Sequence, residues 1–201
     1  MTSTKSSVAE FLEAAGSKQP TPGGGAASAL TGAVAAAMLE MTLNYSVGKK
    51  SLEAYQSELV PALEAATLLR KRFEALIEKD QVVYQKLAEA KKAGQGVKEA
   101  VDAAIGVPLE IAASGVEVLE YIDRVLNFIN VYLLSDLAVS ADLAMACLRT
   151  AIYNVRINMP ELATDTQRIE VSQQVATKLQ RGGHLIQSVS PRIWKRIEAG
   201  A

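Results

Sequence analysis

Apolar positions recur at helical intervals from the start of the chain. Val8, Phe11, Leu12 and Ala15 stand at i, i+3, i+4 and i+7. Ser7, with Glu10 three residues later, forms a capping box in front of them, and Gly16 ends the segment. Pro20-Thr-Pro-Gly-Gly-Gly25 follows as the strongest break in the chain. Beyond it the pattern predicts a helix over about 26–45, rich in Ala with Ser28, Thr31 and Gly32 among them. Small residues on every side of a helix require close neighbours on every side, so this segment is expected at the centre. Gly48-Lys-Lys50 punctuates the chain before a long helical stretch over 51–93, where Pro61 predicts a kink or a second start. Gly94-Gln-Gly96 closes that stretch. A further helix is expected over 97–128 with a bend at Pro108. Ser135 predicts an N-cap for a helix reaching Asn158, with Pro160 as its stop. The tail over 165–199 reads as a helix broken at Gly182-Gly183 and Ser190-Pro191. No alternating strand pattern, internal repeat or second-domain linker is present. The expectation is an all-α, single-domain bundle over 1–201, with long, partly kinked helices around the Ala-rich one.

Composition narrows the possibilities. The 201 residues suffice for one sizeable core. Hydrophobic residues make up 49% but aromatics only 5%, so packing must rest on Ala, Leu, Val and Ile. The 21 basic residues balance 22 acidic ones, which leaves no basic excess for a nucleic-acid partner. A single cysteine, Cys147, excludes an intramolecular disulfide and fits a reducing, cytoplasmic location. A single histidine, His184, removes His-rich zinc sites, and no metal is expected. Lys5 is followed by Ser-Ser-Val-Ala-Glu, where a secretory leader would need an apolar run. The longest uncharged stretch, 19–39, opens with the Pro/Gly turn. Only 26–39 is left as an apolar helix, too short for a ~30 Å bilayer at ~1.5 Å per residue. A buried core helix is expected there, and no membrane partner.

Asp80 is the most informative candidate for chemistry. Phe73, Leu76, Ile77, Val83, Tyr84 and Leu87 lie at −7, −4, −3, +3, +4 and +7 from it, offsets that share one helix face. Asp80 therefore occupies a core-facing slot, while Glu74, Lys79, Gln81, Lys86 and Glu89 are expected to point elsewhere. A carboxylate among apolar neighbours has its pKa raised by desolvation and suits general acid–base work. The same slot would suit a structural Asp that pairs with a buried base or caps a neighbouring helix. The Pro-Thr-Pro-Gly-Gly-Gly turn before a helix offers free N–H groups to an anion or a polar carbonyl, though a tight corner between helices would look the same. It is not a Walker A loop. Asp136 and Ser140 are four apart, as are Asn154 and Asn158. The two Asn amides could grip a ligand or simply close a helix end, and Arg156 could favour the dipole there. Lys49-Lys50 is either a solvated pair or an anion contact. Cys147 reads as a buried small residue, and His184 as a loop residue.

Several of these segments occur in order: Pro20-Thr-Pro-Gly-Gly-Gly-Ala-Ala-Ser28, Gly48-Lys-Lys50, Asp80-Gln-Val-Val-Tyr84, Val107-Pro-Leu109, Ser135-Asp136 and Tyr153-Asn-Val-Arg-Ile-Asn158. Together they resemble the formiminotetrahydrofolate cyclodeaminase / methenyltetrahydrofolate cyclohydrolase family, over nearly the whole chain. The resemblance implies an all-helical, dimer-forming enzyme acting on a one-carbon unit carried by tetrahydrofolate, with no cofactor beyond that folate-linked substrate. Its catalytic Asp falls on Asp80. Its substrate contacts fall among Pro22, Gly23, Gly24, Gly25, Ser28, Lys49, Tyr84, Asp136, Asn154, Arg156 and Asn158, with Lys49 or Arg156 meeting the glutamyl carboxylate. Where members often carry Leu-Val-Asp-x-Asp, this chain has Leu76-Ile-Glu-Lys-Asp80, so the first acid is Glu78.

The activity expected from the resemblance is that of the cyclohydrolase, interconverting 5,10-methenyl- and 10-formyltetrahydrofolate. No transferase domain precedes Met1 to supply a formimino substrate, so the chain is expected to act alone. The alternative is the cyclodeaminase, which releases ammonia to give the methenyl compound. A third reading is a helical bundle that binds folate without turning it over.

Overall fold

The computed structural model describes residues 6–200; Met1–Lys5, on which the reading of no leader partly rests, and Ala201 lie outside. Six helices run in order: α1 (Val8–Gly16), α2 (Gly24–Asn44), α3 (Gln56–Ala93), α4 (Val97–Val125), α5 (Leu134–Asn158) and α6 (Asp165–Gly200). Short 3-10 turns at Lys50–Tyr55, Val131–Leu133 and Met159–Glu161 join them. No strand occurs among the described residues.

The capping box at α1 is formed, with Ser7 Oγ accepting from Glu10 N–H and Ser7 N–H donating to Glu10. Gly94 and Gly96, both at positive φ (68° and 65°), close α3 and open α4. The Ala-rich α2 sits between α3 and α5, with α4 beneath. Its Ala26, Ala29, Ala35, Ala36, Leu39 and Leu43 are wholly buried. Gly32 shows why small residues are needed, since a Cβ there would lie 2.4 Å from Cε1 of the buried Phe73 ring.

Four expectations differ from the fold. Ser135 is no N-cap: α5 begins one residue earlier, out of a 3-10 turn opened by Asn130, whose side chain accepts from Tyr132 N–H at 3.1 Å. α6 is unbroken; Gly182 is there because α5 approaches it, a Cβ lying only 2.2 Å from Leu148 Cδ2, and Pro191 is carried within the helix. Gln81 is fully buried and not turned away, with Nε2 donating to Ile77 O at 3.1 Å. α3 is covered by α2 on one flank and α4 on the other, so its buried sector is wider than one stripe. Finally, α2, at 21 residues close to the expected length, is apolar over more of it than the 26–39 stretch that is too short for a bilayer. By length and composition, α2 and the stretch Val131–Glu161 could each cross a bilayer, but α2 is taken up by the bundle, with 56% of that window buried.

Candidate active site

The start of α2, the middle of α3, the first half of α4 and the end of α5 meet at one end of the bundle around a narrow cleft of 240 Å³. Asp80 is among the residues that line it. Gly23, the N-cap of α2, has no side chain to cap the helix. The Asp80 carboxylate, 54 residues further along the sequence, accepts Ala26 N–H instead. Gly25 is what admits it: a Cβ there would stand 2.0 Å from Asp80 Oδ1. Gly24 likewise makes room for Asn154, whose Oδ1 would be 3.0 Å from such a carbon. The glycines thus let two polar side chains approach the helix start.

Two opposing effects act on Asp80. Burial pushes its carboxyl above the ordinary Asp range, and the Ala26 N–H pulls it down by a smaller amount. The structural reading of Asp80 as a cap for a neighbouring helix therefore holds together with its place in the cleft. The same group both caps α2 and faces the cavity.

Asn158 has a specific job. Pro108 has no N–H, so the carbonyl of Ala104 four residues earlier loses its intrahelical donor. Asn158 Nδ2 fills the gap at 3.2 Å and donates also to Asn154 O at 3.1 Å. Asn154 Nδ2 donates to Thr150 O at 2.9 Å. Both amides therefore spend N–H groups on the protein and keep oxygens for a ligand. They suit a donor-rich edge.

Gly23, Gly24, Gly25, Asp80, Tyr84, Asn154 and Asn158 all line the cleft. Pro22 is buried beneath the turn, and Ser28 is buried with its hydroxyl on Gly24 O at 2.7 Å, so neither faces the cavity. Arg156 turns to a separate open groove of 680 Å³ beside Arg168 and Ser172. Asp136 lies 18 residues before Asn154 on α5, about 27 Å along the axis at 1.5 Å per residue. Lys49 lies past the far end of α2, about 30 Å from Gly24 by the same rise. Within one chain, neither reaches the cleft. Glu78 is exposed, and Cys147, its thiol pushed up to about 12 by burial, is packed in the core. Leu87, counted on the Asp80 face, lines the cleft too, and so do Ile157 and Lys91, which had not been singled out. Lys91 is 11 residues, three turns, from Asp80, so extending the face count by one turn would have found it. Among the described residues no three His, Cys, Asp or Glu side chains gather as a metal site.

A carboxylate set against a glycine-led helix start, with two asparagines lining the same cleft, gives an all-α scaffold a polar site with one group able to exchange a proton. Residues 7–177 match the formiminotransferase-cyclodeaminase family, and the chain belongs to it. A methenyltetrahydrofolate cyclohydrolase from Methylorubrum extorquens is 32% identical over 162 residues, covering 75% of this chain and 78% of that protein. The formimidoyltransferase-cyclodeaminase of Sus scrofa is 24% identical over 184 residues; the match takes in 85% of this chain but 34% of that longer protein. The crystal structure of formiminotetrahydrofolate cyclodeaminase from Thermotoga maritima superposes with a TM-score of 0.89 at 28% identity, over 97% of both chains. The family's all-helical fold, expected from the motifs, is present.

Proposed function

We propose that this protein is a methenyltetrahydrofolate cyclohydrolase in which Asp80 is the general base and acid. The carrying observation is the half-buried carboxylate lining the cleft, held on Ala26 N–H beside Gly25. Water adds to the cationic carbon bridging N5 and N10 while Asp80 takes one of its protons. Collapse of the adduct breaks the C–N5 bond, and Asp80 returns that proton to N5. The adduct's hydroxyl loses its remaining proton to solvent as the formyl C=O forms on N10. One base and one acid suffice, and one carboxyl can be both. Its negative form also stabilises the cationic bridge. Atoms balance with folate and water alone, so the reaction calls for no further cofactor. The relative from Methylorubrum extorquens supports this activity.

The structural neighbour from Thermotoga maritima keeps the cyclodeaminase as a second reading. There N10 attacks the formimino carbon and ammonia departs, again with one proton taken and one given. Purified protein is assayed with both folates: methenyltetrahydrofolate consumption supports the first reading, and ammonia release from the formimino compound the second. Asp80→Asn should abolish either turnover. A variant near wild-type rate would remove Asp80 from the mechanism, and tight folate binding by a wild type that turns over neither compound would favour a non-catalytic bundle.

The unit is further proposed to be a homodimer. α2 and α5 run antiparallel, as the contacts Ser140–Ala35 and Asn154–Gly24 require. Their outer stripes, Val34, Met38, Met41 and Tyr45 on one and Val139, Leu143, Tyr153 and Ile157 on the other, are uncharged, heptad-spaced and at least partly exposed. A two-fold axis through that face would bring the partner's Lys49 and Asp136 ends towards the cleft. That would account for family motifs lying so far from Asp80 in one chain. Sedimentation of wild type and of Val34→Asp tests it: a monomeric wild type, or a dimer untouched by the charge, would exclude this face.

A further inference from the structure

The cleft has a polarity that the motifs do not explain. Asp80, Val83, Tyr84, Leu87 and Lys91 all line it, one after another along a single face of α3. Asp80 and Lys91 are the charged residues among those lining it, at opposite ends and about 16 Å apart along the helix. Lys91 Nζ is paired with Glu161 at 2.6 Å, and both side chains are substantially exposed (45% and 35%). An exposed pair of this kind is weakly held and exchanges partners readily.

We propose that Lys91 is the residue that holds the glutamyl carboxylate of the substrate, with Glu161 as its counter-ion in the empty site. This rests on the folate reading and deepens it. A methenyl folate is cationic at its one-carbon bridge and anionic at its glutamate, which matches the carboxylate and ammonium ends of the cleft. The lengths agree as well. From the bridge carbon, an aromatic ring, an amide and a glutamyl side chain reach about 10–14 Å, taking ~3.5 Å for each residue-sized extended unit. The flexible four-carbon stem of Lys91 can cover the few ångströms that remain. Between the two charges, Tyr84, Leu87 and Ile157 give the ring an apolar wall. Within one chain, Arg156 faces another groove and Lys49 lies past the far end of α2, which leaves Lys91 as the cation on the cleft itself.

The bound carboxylate replaces Glu161 and not water, so the gain is modest. The test compares methenyltetrahydrofolate with methenyltetrahydropteroate, which lacks the glutamate, by KM and by direct titration of binding. Wild type should prefer the glutamylated compound, and Lys91→Gln should cut that preference by about three- to tenfold. Lys91→Arg should retain it, and Glu161→Gln, which frees the ammonium, should increase it. A preference unchanged in Lys91→Gln, or Glu161→Gln acting the same way as Lys91→Gln, would overturn the assignment. Failure of wild type to bind either compound would overturn the folate reading and the tail site with it.

Discussion

Replacing Gly25 with alanine should separate chemistry from fold. A β-carbon at that position would lie 2.0 Å from Asp80 Oδ1, 2.5 Å from Cγ and 2.7 Å from Oδ2. Real contacts of this kind do not fall under 3.0 Å, so the carboxylate must retreat by about 1 Å and swing off the Ala26 N–H. A displacement of that size at a reacting group can cost about 100-fold in rate, or ~2.7 kcal/mol on the barrier. The effect on folding is smaller and has two signs. Alanine gains up to ~1 kcal/mol over glycine in a helix. Losing the hydrogen bond to Asp80 costs ~1–2 kcal/mol. The net should stay within about 1 kcal/mol, a change of ~2–4 °C in melting temperature for a chain of this size. The assay is turnover of methenyltetrahydrofolate followed by loss of its absorbance, with thermal unfolding of the same sample. Turnover above half of wild type would refute the claim that Gly25 exists to admit Asp80. So would activity lost only in proportion to unfolded protein.

Three more outcomes follow from the same geometry. Because burial raises the Asp80 carboxyl above its value in the unfolded chain, near 3.9, the folded state binds its proton more tightly. Stability relative to Asp80→Asn should therefore fall as pH rises from about 4 through the elevated pKa and then level off; melting temperatures of the two proteins that stay parallel across that range would contradict the burial. Asn158→Ala leaves the Ala104 carbonyl without its donor and should cost about 1–3 kcal/mol by denaturant titration. The loss should shrink in a Pro108→Ala background, where the helix supplies its own N–H, and equal losses in both backgrounds would refute the pairing. Gly32→Ala drives a β-carbon to 2.4 Å from the buried Phe73 ring and should destabilise by about 1–3 kcal/mol, read as a lower melting temperature; a stabilised variant would show that the ring has room to move.

How far the site was legible differs from residue to residue. Asp80 was found by counting offsets along its own helix, and the start of α2 by its glycines. Arg156 shows the limit of that method: it lies between Asn154 and Asn158 in sequence, yet opens onto a different groove because neighbouring helix positions point 100° apart. Ser28 belongs to the motif but spends its hydroxyl on Gly24 O inside α2. Gln81 was expected to face away and is buried, since a helix packed on two flanks hides more than the stripe its apolar residues mark.

The amino-acid order by itself determined that the chain is helical, that α1 opens with a capping box and that the Ala-rich segment is the centre. It also determined that Asp80 sits on the apolar side of α3. Each of these is a property of one segment, set by the 3.6-residue repeat and by capping chemistry within a few residues. Packing alone decided that Gly25 makes room for Asp80, that Asn158 completes the helix weakened by Pro108, and that Lys91 shares a cleft with Asp80 while Lys49 and Asp136 do not. Those facts depend on the register and crossing of whole helices. A periodic pattern states which side of a helix is buried but carries no information about which turn of another helix lies opposite.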